Sequence, residues 1–330
     1  MSRGTAARVV TFGEMLLRLS PPGEERLFES PELQTFFGGA EANVAVALSH
    51  LGVRADYVTR LPEGALGDAA LDALRREGVR TDSIVRAGGG SRLGLYFVEP
   101  GADLRAMRVV YDRAGSAFAQ IDPLDLDWTR VLAGAGWFHS TGITPALGDG
   151  PAVTLARAIA SARAAHVPVS VDLNYREALW RGRDPRPVVE PLARQADVLI
   201  GNRDAVRALL GVESEGDTLG PRLAERYGCG IVVITQRDIL GPREHAWSAT
   251  LYDAATRASA RSRRHVVQVV DRVGGGDSSA AGLIAALLEG QAPTEALEFA
   301  VAVGALKLTV AGDFGRATRE EVEHRVRQCT

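Results

Sequence analysis

The sequence predicts an α/β fold of three layers: a mainly parallel sheet covered by helices on both faces, plus a small β-sheet lid. Three observations predict it. Short β-branched runs alternate with Ala- and Leu-rich helical stretches along most of the 330 residues. The composition, 46% hydrophobic and 24% charged, supplies a large core. One region, 93–111, holds two strand patterns with no helix between them. Strands separated by helical segments make βαβ units, which pair in parallel and need both faces covered.

In chain order, 9–12 reads as a strand, 42–51 as a helix ended by Gly52, 55–60 as a strand and 68–77 as a helix ended by Gly78. Further strands are predicted at 136–140, 168–172, 198–201, 230–235 and 265–270, and helices at 151–165, 204–210 and 278–288. Segments 93–98 and 106–111, joined by Glu99-Pro-Gly-Ala-Asp103, predict a hairpin projecting from the core. With 14–20 it would form an antiparallel lid, so that about 14–20 and 93–113 are inserted in one domain spanning 1–330. The chain shows no long linker, repeat or low-complexity block. Ligands of such sheets bind beyond the carboxyl ends of the strands.

A formal net charge of −3 gives no reason to expect a nucleic-acid or membrane partner. Lys307 is the only lysine among 38 basic residues, and codon bias explains the arginine excess most simply. The segment around it, 304–309, does not match Gly-x-x-x-x-Gly-Lys-Ser/Thr, so a P-loop NTPase is excluded. Two cysteines, Cys229 and Cys329, are too few for a structural zinc site or a disulfide framework. The amino-terminal residues lack the pattern of a signal peptide, and no run of 18 apolar residues occurs, so a cytoplasmic location is expected.

The most informative segment is Asp271-Arg-Val-Gly274-Gly275-Gly276-Asp277, between a strand pattern and an apolar helix pattern. Consecutive glycines let the backbone turn without a Cβ, and free N–H groups at the helix start then make an anion site. Asp277 has two readings. It is a favoured residue for a helix N-cap. It is also placed to act as a general base toward an attacking hydroxyl, since an isolated Asp, with a pKa of about 3.9, is ionised at neutral pH. Gly-x-Gly-x-x-Gly is not met, because Ser279 stands where the third glycine belongs, and a nicotinamide fold is disfavoured. Gly-x-Ser-x-Gly and His-Glu-x-x-His are also missing, which leaves a hydrolase without support.

With Gly38-Gly39-Ala-Glu-Ala-Asn43 opening an early helix and Asp271–Asp277 opening a late one, the chain resembles the ribokinase-like (PfkB) carbohydrate kinases over nearly its whole length. The resemblance implies a ribokinase-like fold and transfer of the γ-phosphoryl group of ATP, with Mg²⁺, to a sugar hydroxyl. Gly274, Gly275 and Gly276 would form the anion hole, Asp277 the base, and Gly38, Gly39 and Asn43 part of the sugar site. The family pattern Asp-Thr-Thr-Gly-Ala-Gly-Asp is altered here by Arg272, Val273 and the third glycine. Its Asn-x-x-Glu is altered too: Asn202 is kept, but Ala205 stands where the acid belongs, with Asp204 as a substitute, so the metal-handling residues stay unassigned.

Segments 12–22, 111–117 and 172–180, with Trp247-Ser-Ala and Gly312-Asp313-Phe314, look like the 2-keto-3-deoxygluconate kinases of that family. A sugar acid needs a cation for its carboxylate, and arginine binds carboxylate bidentately. The resemblance implies that Arg113 and Arg176 hold the acid end, that Tyr96 and Tyr111 line the lid side and that Asp313 holds a sugar hydroxyl. It places Asn174, Asn202 and Thr235 toward the nucleotide. His139, at a strand end, reads as structural. The expected product is the 6-phosphate. The alternatives are a kinase of a neutral sugar such as fructose or ribose, and a catalytically dead sugar sensor. An exposed lid edge would favour a homo-oligomer, a homodimer first.

Overall fold

The computed structural model describes residues 8–214 and 216–328. The start of the amino-terminal stretch, through residue 7, and Cys329 lie outside the described residues.

The strands are β1 (Arg8–Phe12), β2 (Leu16–Ser20), β3 (Gln34–Gly38), β4 (Arg54–Val58), β5 (Arg60–Pro62), β6 (Val85–Ala87), β7 (Gly94–Glu99), β8 (Arg108–Asp112), β9 (Ala135–Thr141), β10 (Val169–Asp172), β11 (Val198–Asn202), β12 (Ile231–Ile239), β13 (Glu244–Asp253), β14 (Ala258–Arg261) and β15 (His265–Gln268). The large sheet runs β14-β13-β12-β11-β10-β9-β1-β4, with β15 also on β13. From β4 to β12 every pairing is parallel, and β13, β14 and β15 add on antiparallel. The strand order reverses beside β1: the chain passes from β1 to β4 on one side and from β9 to β12 on the other. Such a reversal opens a crevice at the carboxyl ends of the strands, and helices that diverge there leave room for a ligand.

Alternation along the strands feeds two cores. Val9 points to one and Val10 to the other; Val198 and Ile200 go with Val9, Leu199 with Val10. Helices Ala40–His50, Gly275–Leu288 and Pro293–Lys307 fill the first core. Helices Asp149–Ala164, Arg186–Ala193, Arg203–Leu210 and Leu219–Tyr227 fill the second. The three-layer fold is therefore the predicted one.

The small sheet runs β3-β2-β7-β8. It contains the predicted segments, with two corrections. Strand β3 was not foreseen, because Gln34-Thr-Phe-Phe-Gly sits beside the glycine motif and reads as part of its turn. The sheet is not wholly antiparallel, since β2 pairs with β7 in parallel across the intervening core elements. The predicted strand at 265–270 ends at Gln268 and runs antiparallel to β13, so it does not lead straight into the glycines.

Candidate active site

The carboxyl ends of β9, β10 and β11 deliver Thr141, Asp172 and Asn202 to one rim, and Thr235, midway along β12, joins them in register: Thr141 lies opposite Asp172, and Asn202 opposite Thr235. The small sheet overhangs this rim. Between them lies a cavity of about 820 Å³, lined by Gly39, Asn43, Tyr96, Tyr111, Arg113, Asn174, Arg176, Asn202, Thr235, Gly274, Gly275, Gly276, Asp277 and Asp313. The topology thus gathers almost all the residues predicted for the site. Gly38 is the exception, set behind the wall with its Cα backed against the Asp313 carboxylate.

Asp277 lies on the cavity floor. The helix Gly275–Leu288 has Gly274 as its N-cap, so Asp277 is its third residue and no side chain caps it. This removes the N-cap reading. The carboxylate is held from two sides: Asn43 Nδ2 donates to Oδ2 at 2.7 Å and Asn174 Nδ2 to Oδ1 at 3.4 Å. Asn43 also accepts from the Gly39 N–H at 3.4 Å, so one amide links the first glycine motif to the acid of the second. Burial raises the pKa of Asp277. The Asn43 hydrogen bond, the charges of Arg176 and Lys307, and Asn174 pull it back.

Gly274 takes φ +83°, and a Cβ there would lie 2.1 Å from the Asp313 carbonyl oxygen, so only glycine fits. Gly276 differs: nothing lies within 4 Å of its Cβ position, which faces open space. The turn is tied from below by Asp271, which accepts from Val273 N at 3.0 Å, Gly312 N at 3.1 Å and Arg18 Nη1 at 2.7 Å. Arg18 also reaches Asp313 at 3.3 Å, and Tyr96 donates its hydroxyl to the same carboxylate. Burial pushes the Asp313 carboxyl up to about 6, although Arg18 opposes this. Tyr96 stacks on Tyr111, ring centroids 5.9 Å apart.

Arg113 is buried and already paired: its Nε donates to Glu14 Oε2 at 2.7 Å, and Ser116 donates to the other Glu14 oxygen. Arg176 is exposed and lines the same cavity. Near it stand Arg237 and Arg272. Burial lowers the pKa of Arg237, and the charge of Arg176 lowers it further. Arg272 is lowered likewise by burial and then by Arg237. Among the described residues none of these three has a carboxylate within ion-pair distance. Arg237 and Arg272, which line the cavity with the glycine turn, form with its amides a donor set suited to a polyphosphate.

Five residues escaped the sequence reading. Arg18 and Lys307 sit beneath the turn, Arg237 and Arg272 on the rim. Asp172 closes β10, and its Oδ1 accepts from Asn174 N at 3.0 Å. Burial, with Asp277 nearby, raises its pKa to about 7. Its position at a strand end was the available signal. His139 is buried, its Nδ1 2.8 Å from Ser170 Oγ, and burial lowers its pKa to about 3, in keeping with a structural role. Asp204 points to solvent and pairs with Arg207, while Asn202 caps the Arg203–Leu210 helix through Ala205 N at 2.8 Å. Among the described residues no group of three His, Cys, Asp or Glu side chains could hold a metal ion.

Residues 6–315 match the family model described as "pfkB family carbohydrate kinase". A 2-dehydro-3-deoxygalactonokinase from Haloferax volcanii is 35% identical over 321 residues, 97% of this chain and 97% of that protein. A 2-dehydro-3-deoxygluconokinase from Thermoproteus tenax is 31% identical over 92% of this chain and 89% of that one. The crystal structure of a 2-dehydro-3-deoxygluconokinase from Thermotoga maritima, 41% identical, superposes with a TM-score of 0.93 over 97% of this chain and 99% of that one. No helix among the described residues is long and apolar enough to cross a membrane.

Proposed function

The chain belongs to the pfkB family of carbohydrate kinases, and on that premise we propose that it phosphorylates a 2-keto-3-deoxy sugar acid at its terminal hydroxyl, with ATP as donor, giving the 6-phosphate. The observation that carries the reading is the Asp277 carboxylate, fixed by two asparagine amides in a cavity that Arg176 also lines. The named relatives, which act on 2-dehydro-3-deoxy sugar acids, support the choice of acceptor.

The acceptor hydroxyl gives its proton to an oxygen of Asp277 and attacks the terminal phosphorus in line as the bond from that phosphorus to the bridging oxygen breaks and ADP leaves, while the N–H groups of the glycine turn receive the charge that grows on the phosphoryl oxygens. Arg237 and Arg272 face the phosphates. Arg176 holds the carboxylate of the sugar acid, and Asp313, with Tyr96, meets its hydroxyls. Asn202 and Thr235 lie toward the nucleotide. With no carboxylate cage among the described residues, the site fits Mg²⁺ as an ion that would come on the triphosphate and neutralise phosphate charge there. The small sheet, closing over the cavity, keeps water from competing for the phosphoryl group.

The pairing of Arg113 with Glu14 changes how the acid end is tested. Removing Arg113 would leave the buried Glu14 carboxylate unpaired, a loss of about 3–5 kcal/mol that would obscure any effect on the sugar. Arg176 is exposed and has no such partner among the described residues, so its removal unpairs no buried carboxylate. The deciding experiment measures ADP release over a panel of 2-keto-3-deoxygluconate, its galactonate epimer, fructose and ribose. A sugar acid is expected to give the highest kcat/KM. Preference for fructose or ribose would make the chain a neutral-sugar kinase, and no ADP release with any acceptor would make it a binding protein. The outer strands β3 and β8 of the small sheet leave edges on which a second copy can pair, which light scattering in solution would reveal.

A further inference from the structure

One buried charge lies beneath the glycine turn, outside the cavity. Lys307 ends the helix Pro293–Lys307 and is 1% exposed. It does not line the cavity, so it cannot touch a substrate there. Among the described residues no carboxylate lies within ion-pair distance of it. Its Nζ donates instead to two backbone carbonyls, Asp271 O at 3.3 Å and Val310 O at 3.1 Å. These carbonyls belong to the two loops that flank the glycine turn. The lysine stem fills the space beneath that turn: Cε lies 3.3 Å from where a Cβ of Gly274 would be, and Cγ the same distance from that of Gly315. Burying an ammonium is expensive; the charges of Asp271, Asp313 and Asp277, beyond ion-pair distance, offset part of the cost, and the carbonyls hold the group in place.

The composition sharpens the point. Arginine stands at 37 of the 38 basic positions, and lysine at this one alone. Arginine is a wide planar fork, whereas lysine is a compact point charge on a thin stem. The thin stem is the one that stands between Gly274 and Gly315.

We propose that the Lys307 ammonium is a built-in cation that positions the glycine turn, holding the carbonyls of Asp271 and Val310 so that the N–H groups at the start of the Gly275–Leu288 helix face the transferred phosphoryl group. Lys307 is a positioning residue, acting through the turn. The inference rests on the phosphoryl-transfer reading of the site. It has a particular consequence: with the side chain cut back, a cation-sized hole lined by carbonyl oxygens remains, and a small cation from solution can refill it.

The test uses the full chain with ATP and its best sugar. Lys307→Met keeps the volume and removes the charge; kcat is expected to fall at least about tenfold, with KM for both substrates within a few fold. Lys307→Ala is expected to fall as far, but ammonium or methylammonium should restore its kcat saturably, by about fivefold or more. Neither ion should restore the Met variant, whose hole is filled, nor raise the wild-type rate. Thermal melting with and without ammonium accompanies each assay. The proposal is overturned if Lys307→Met keeps kcat within about twofold of wild type. It is also overturned if Lys307→Ala gains neither rate nor melting temperature from either ion, the behaviour of a lysine needed only for packing. A wild-type chain that transfers no phosphoryl group sinks the proposed function itself, whereas normal wild-type transfer with unresponsive variants sinks only the role of Lys307.

Discussion

Gly274 and Gly276 look alike in sequence, but the structure asks opposite things of them. At Gly274 a methyl group meets the Asp313 carbonyl and a φ of +83°. Gly274→Ala should therefore lower stability by about 1–3 kcal/mol in a denaturant melt. At Gly276 a methyl group meets no protein atom and enters only the cavity. Gly276→Ala should leave stability equal or raise it by about 0.4–1 kcal/mol, yet cut kcat/KM for ATP by about tenfold or more, because the amide cradle loses room for the phosphate. A variant with unchanged kcat/KM would place the anion elsewhere. Arg176 gives the matching test on the sugar side. Arg176→Ala should raise KM for a sugar acid about tenfold or more while barely changing that for a neutral sugar. It should also shift the pH profile. Asp277 must be ionised to accept the proton, so turnover falls as pH drops through its raised pKa, and Arg176 is one of the charges holding that pKa down. Without Arg176 the acid limb of kcat/KM should move to higher pH; a limb that stays put would separate Arg176 from Asp277.

Element ends carry the rest of the chemistry, and they were the least legible part of the sequence. The βαβ rhythm and the glycine turn could be read because hydrophobic period and backbone freedom are local properties. Strands β13 and β14 went unread although Trp247, Ala249 and Leu251 alternate with less buried neighbours, because no helix separates β12, β13 and β14 and their places are set by antiparallel pairing of β13 to β12 and of β14 to β13. The roles of Arg18, Arg237 and Arg272 were hidden for a different reason: in a chain with so many arginines, only the missing carboxylate partner or the burial marks a special one. Asp172, at the end of β10, is the clearest case of a strand end that matters. Its carboxyl is raised to about 7 in the fold, above its value in an unfolded chain. The folded state therefore binds the extra proton between about pH 4 and 7, and stability from this group declines as pH rises through that window. Asp172→Asn should melt higher than wild type at pH 8, by on the order of 1–3 kcal/mol, with the gap closing near pH 4. An equal gap at both pH values would mean that Asp172 is not held protonated by the fold. The substitution keeps an oxygen to accept the Asn174 N–H.

At the scale of the whole molecule, the large sheet reverses its strand order beside β1, the small sheet lies across the resulting crevice, and two helices open on it, each from a glycine pair or triple. The Asn43 amide joins them, so the acceptor side and the phosphate side of the cavity are fixed relative to one another. Asp277 is where the two sides meet. The most direct measurement is therefore turnover and nucleotide affinity of Asp277→Asn, made in parallel with wild type on the sugar that wild type prefers. The expected result is a loss of kcat of about 10²–10⁴-fold with the Kd for ATP changed by no more than a few fold, because the amide keeps the shape of the site but cannot take the proton. Turnover within a few fold of wild type would contradict the role of Asp277 as base.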